Sequence, residues 1–127
     1  MGARNLNRVQ FTLERDVVRI FGRCTGGDTS NPTGVKGKGV TSIARTANTL
    51  TITLADKWNG LLMFNANVID SGTPDDWEFV LSAETVASTK TLVVKVFKGG
   101  TAADLPTTAV LLFEVVVCNN AQKPVSY

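Results

Sequence analysis

The chain has 127 residues, 43% of them hydrophobic and 19% charged, with a net charge of +2 and no histidine. That is enough for one domain with its own core and too few for two ordinary ones. The balance excludes whole-chain disorder and offers no general affinity for nucleic acid, and the missing histidine removes the commonest general base and zinc ligand.

Residues 1–8 have no periodicity and read as an amino-terminal arm carrying Arg4 and Arg8. Arg15, Arg19 and Arg23 continue the basic series, but Glu14 and Asp16 stand among them, so these are solvated arginines rather than a polyanion track. The start, MGARNLNRVQ, lacks the apolar segment of a signal peptide, and Leu6 occupies the place where myristoylation needs Ser or Thr. The longest apolar run, Ala109 to Cys118, is half a membrane span and contains Glu114. A soluble protein made in the cytoplasm is expected, with no membrane partner.

Val9, Phe11 and Leu13 alternate with Gln10 and Thr12, the period-2 pattern of a first strand, and Glu14-Arg15-Asp16 is a plausible turn before a second strand at Val17–Cys24. Gly26 to Gly39 is dense in Gly and Thr and reads as one long loop. Val40–Thr46 and Thr49–Leu54 then form a hairpin about Ala47-Asn48, with Asn as the residue that tolerates left-handed backbone angles. Ala55 to Gly60 fits one helical turn capped near Asp56. Further strands are expected at Leu61–Ile69, Trp77–Ser82, Thr91–Lys98 and Thr108–Cys118, with turn-rich loops at Asp70–Asp76 and Gly99–Thr107. Residues 119–127 are a polar tail.

Taken together these elements predict an all-β fold: a single antiparallel sandwich or barrel over residues 9–118, of about eight strands and no long helix. Jelly-roll-like and immunoglobulin-like orders both fit this pattern. In Ala109–Cys118 both faces are apolar: Leu111, Phe113, Val115 and Val117 alternate with Val110, Leu112, Val116 and Cys118. A small domain without a helix to cover the second face needs an oligomer interface there, so Val110, Leu112 and Val116 are the self-interface candidates.

No catalytic, cofactor-binding or metal-ligating constellation emerges, and an enzyme is not expected. Cys24 and Cys118 are too far apart in sequence for a CxxC metal site and, without an export signal, are expected as free thiols. Gly37-Lys38 lacks the remaining residues of a phosphate loop. Asp70, Asp75, Asp76 and Glu78 surround a Gly-Pro turn; they match no calcium-loop spacing and read as turn formers, with a carboxylate-based hydrolase ranked last. Trp58 and Trp77 lie at strand ends, where capping a core outweighs stacking on a sugar.

The stretch Gly37–Phe64, GKGVTSIARTANTLTITLADKWNGLLMF, resembles a pattern found in small virion structural proteins of tailed bacteriophages, of the capsid decoration or head-fibre type. The resemblance implies a non-enzymatic cement protein bound to the outer capsid surface of the virion. Its partners would be the major capsid protein and itself, as a homotrimer, with no nucleic acid. Arg4, Asn5, Leu6 and Arg8 of the arm are then the candidates for capsid contact, ordered by strand addition. The alternative, from another class, is a carbohydrate- or receptor-binding module of a phage fibre or host-adhesion apparatus, using Trp58, Trp77 and the Gly-rich loop.

Overall fold

A computed structural model describes residues 17–72 and 74–119. Nine strands are formed among them: β1 (Val17–Thr25), β2 (Thr33–Lys36), β3 (Val40–Thr46), β4 (Thr49–Leu54), β5 (Gly60–Asp70), β6 (Trp77–Glu84), β7 (Thr91–Lys98), β8 (Thr101–Ala102) and β9 (Ala109–Cys118). They make two antiparallel sheets, ordered β2-β1-β9-β5 and β3-β4-β7-β6, with β8 paired to the end of β7. The all-β, single-domain expectation holds, in the form of a two-sheet sandwich.

Alternation decides which face of each strand enters the core. In β4, Leu50, Ile52 and Leu54 are buried while the threonines between them stay half-exposed. In β7, Leu92, Val94 and Val96 are buried in the same way, and the β-branched residues suit the pleat. From the other sheet come Ile20 and Cys24 of β1 and Leu111, Phe113, Val115 and Val117 of β9. No polar or charged residue is buried among the described residues, so the space between the sheets is an uninterrupted apolar core.

Close packing within the sheet imposes a glycine at position 22. A Cβ on Gly22 of β1 would overlap the ring of Phe113, which lies over that position from the neighbouring strand and stacks with Phe64 of β5 at 6.2 Å between centroids. Besides the irregular β1–β2 pairing, bulges in β3, β5 and β6 set which side chains point inward. The extra residue in β5 is Leu62, between the pairs Leu61–Val117 and Met63–Val116, and the bulges in β3 and β6 fall at Thr41 and Ser82.

Several local expectations are corrected. The long loop contains β2, which pairs with β1 through Arg23–Lys36 and Thr25–Thr33. The segment 55–59 forms no helical turn. Its backbone donors are taken by other segments, Ala55 N–H bonding Gly39 O at one end and Trp58 N–H bonding Val86 O and Asn59 N–H bonding Cys118 O at the other, so the crossing between sheets is tied at both ends. In the β3–β4 turn the left-handed residue is Ala47, at φ 52°, not Asn48. Asn48 instead holds β7: its Nδ2 donates to Val96 O, and its carbonyl accepts the Val96 N–H. The 99–107 loop contains the short strand β8.

The two thiols are free and buried. Cys24 stands opposite Leu111 and Cys118 opposite Val17, so they lie about 23 Å apart along the β1–β9 pair at about 3.3 Å per residue. No disulfide can join them within one chain.

Candidate functional site

The self-interface candidates lie together on the outer face of the β1–β9–β5 sheet, pointing away from the core. Cross-strand register builds this face in rows: Arg19–Val116–Met63, then Phe21–Glu114–Asn65, then Arg23–Leu112–Asn67, then Thr25–Val110–Ile69. Val116 is only 6% exposed, whereas Val110 and Leu112 are half-buried. Around them Phe21 is 63%, Met63 52% and Ile69 54% exposed, three of the four most exposed large apolar side chains among the described residues. Arg19 Nη1 bonds Glu114 Oε2 at 3.0 Å across the face. A shallow groove of about 600 Å³ runs over Leu112 and Glu114 between Phe21 and the paired amides of Asn65 and Asn67.

The sequence reading found the β9 side of this surface and missed the rest. Phe21 alternates with arginines in a strand whose polar face points outward, and Met63 is sent outward by the bulge at Leu62. The one available signal was the apolar Phe21 within Arg19-Ile20-Phe21-Gly22-Arg23, since an aromatic on the charged parity of a strand is an exposed aromatic.

A second surface lies where β5 and β6 border the gap between the sheets. A cleft of about 180 Å³ is lined by Ala66, Asn67 and Val68 of β5, by Trp77 and Phe79 of β6, and by Asp75 and Asp76 in the connecting loop. Asp75 accepts the Asp76 N–H and pairs with Lys98 Nζ at 3.4 Å. The Asp76 N–H chiefly holds the Asp75 carboxyl below its usual range; burial opposes it, and Lys98 adds to the lowering. Asp70 Oδ1 accepts the Gly72 N–H and the Thr108 hydroxyl. These carboxylates thus serve turn geometry, and no group of three or more His, Cys, Asp or Glu side chains able to hold a metal occurs among the described residues.

Trp58 and Trp77 are both half-buried and packed against the core, with Lys98 Nζ 5.5 Å from the Trp77 ring centre. Each indole Nε1 is enclosed without a hydrogen-bond partner among the described residues. Neither ring stands clear of the core as a stacking platform. At the end of the sandwich that also holds Trp77 and Lys98, next to the β3–β4 turn, Arg45 grips two loops: Nε and Nη2 bond both oxygens of Asp104 at 3.0 and 2.8 Å, and Nη1 bonds Thr29 O at 2.8 Å. The Asp104 hydrogen bonds raise the Arg45 pKa and keep the guanidinium charged, which makes this a structural clamp. Burial pushes the Cys24 thiol up to about 11, so it is an inert core group rather than a nucleophile.

Arg4, Asn5, Leu6 and Arg8, and the strand expected at Val9–Leu13, lie outside the described residues. Comparison with protein-family models, with curated proteins and with solved structures finds no match to this chain. No helix is long and apolar enough to cross a membrane among the described residues.

Proposed function

We propose that this chain is a non-enzymatic bacteriophage capsid decoration protein, a cement protein that binds the outer surface of the major capsid protein as a homotrimer. The observation that carries the reading is the open apolar face, with Phe21, Met63 and Ile69 exposed around Val110 and Leu112 on a small, rigid domain. A monomer rarely leaves such a patch uncovered. The Gly37–Phe64 pattern supports the virion assignment. Arg4, Asn5, Leu6 and Arg8 contact the capsid, and three weak contacts on one rigid body hold a lattice far better than one.

The test is to add purified protein to capsids that lack it and follow co-sedimentation and resistance to heat. Saturable binding in multiples of three copies, with more stable heads, is expected. Absence of co-sedimentation at micromolar concentration would sink the reading. A shift in tryptophan fluorescence on titration with host polysaccharide would replace it with the adhesion module.

A further inference from the structure

We propose that the outer edge of β5 is a strand-acceptor site for residues Val9–Leu13 of a second copy, added antiparallel to β5 and closing a ring of copies. The inference rests on the self-assembly reading above and names how the copies join.

The edge itself asks for a partner. β5 is eleven residues long and ends its sheet, pairing with β9 on one side and with no described strand on the other. About every second residue therefore directs its N–H and C=O outward. The other strands that end a sheet carry protection. β2 has four residues, β3 has Arg45 and a bulge at Thr41, and β6 has Glu78, Glu84 and a bulge at Ser82. β5 has its own bulge at Leu62, but the seven residues that follow, Met63 to Ile69, have no charge, no proline and no further bulge. Such an edge pairs indiscriminately unless something specific occupies it.

The flanks of the edge suit an alternating strand. A strand laid beside β5 would point one set of side chains into the cleft by Val68, Trp77 and Phe79, and the other set toward the outer face beside Met63 and Ile69. Val9, Phe11 and Leu13 alternate with Gln10 and Thr12, which supplies one apolar and one polar set. Run antiparallel to β5, this segment brings Arg8 to the Asp70 end, where Asp75 and Asp76 form an acidic rim. Arg4, Asn5 and Leu6 then extend beyond it as the capsid contacts, while Arg8 turns to the neighbouring copy instead.

Reach decides that the strand comes from another copy. β1 starts at Val17, level with Cys118 and Gly60, so the seat beyond β5 is three strand spacings away, about 14 Å. Leu13 to Val17 spans about 13–14 Å when fully extended, and with Arg8 at the Asp70 end Leu13 stands about five residues up β5 from the level of Val17, so the chain would have to cross, descend and reverse direction within that length. A chain cannot serve its own β5 edge with Val9–Leu13. Donor and acceptor are different surfaces, so the contact is head-to-tail, and it ends in a closed ring when the rotation between copies closes.

The test compares the full chain with a form lacking residues 1–13 and with Phe11→Asp, by light scattering and by amide hydrogen exchange in Gly60–Asp70. The full chain should be a trimer with β5 protected along both edges. Both variants should lose the trimer and exchange their outward β5 amides about tenfold or more faster, while amides bonded to β9 keep their protection. A synthetic peptide of residues 1–16 added to the truncated form should restore protection, and the same peptide with Arg8→Glu should do so more weakly. If the variants stay trimeric with β5 exchange unchanged, the copies meet through the Val110–Leu112 face and the strand-acceptor site is wrong while self-assembly stands. A monomeric full chain would overturn both.

Discussion

Ala47 shows what a single backbone angle costs. Its φ of 52° lies in the left-handed region at the first turn position of the β3–β4 hairpin, where hairpins of this kind place glycine. An L-residue there carries about 1–2 kcal/mol of strain. Ala47→Gly should therefore raise stability by about 1 kcal/mol after its larger unfolded-state entropy is subtracted, measurable as a higher urea midpoint with unchanged slope. Gly22 predicts the opposite sign. A side chain there meets the Phe113 ring, so Gly22→Val should cost about 1–3 kcal/mol by overpacking, and Phe113→Leu in the same chain should recover part of it. Cys24 adds a pH dependence. Its thiol is held near 11 in the fold against an ordinary 9.0, so the folded chain keeps a proton that the unfolded chain releases. Stability is intact below pH 9 and falls by about 3 kcal/mol as the pH rises through 11. Urea melts from pH 8 to 11 should show that loss in the native chain, and Cys24→Ala should flatten it.

At the scale of elements, the two faces of β9 separate two kinds of substitution. Val116 is 6% exposed although it faces outward, flanked in register by Arg19 and Met63. Val116→Asp buries a carboxylate whose one neighbouring cation, Arg19, is already engaged by Glu114, and should prevent folding. Leu112 is half-buried in the open part of the face, so Leu112→Asp should leave the circular dichroism of a folded sheet and a cooperative urea transition. The contrast also measures how far a sequence can be read. β7 was legible to the residue, because Leu92, Val94 and Val96 alternate without interruption and the bulge in its pairing with β6 lies in β6, at Ser82. The apolar character of both β9 faces was legible for the same reason. β2 was not, since its four residues sit among glycines and gain strand character only by pairing with Arg23 and Thr25. The 55–59 crossing carried helix-capping residues that serve a bend equally well, and its conformation is settled by bonds to Val86 and Cys118, far away in sequence. Met63 and Ile69 became part of the candidate surface through the bulge at Leu62 and the pairing of β5 with β9, which no local pattern encodes.

For the molecule as a whole, the strand made last among the described residues sits inside its sheet rather than at an edge. β9 is the last strand of the described chain, yet it is the strand that joins β1 to β5, and its partners Val17–Thr25 and Gly60–Asp70 never touch each other in the sheet. The β3–β4 and β6–β7 hairpins, by contrast, close over short stretches of chain and meet through β4 and β7. While a ribosome is still making the segment before Ala109, the second sheet can form and the first cannot, so β1 and β5 wait with unpaired backbone and half a core exposed. Pairings that close such long loops are slow and leave a window for aggregation. Pulsed hydrogen exchange during refolding should accordingly protect amides of β4 and β7 before those of β1 and β5, and simultaneous protection of both sheets would refute a sequential order. Nascent chains stalled ahead of Ala109 should depend on chaperones in a way that the finished protein does not.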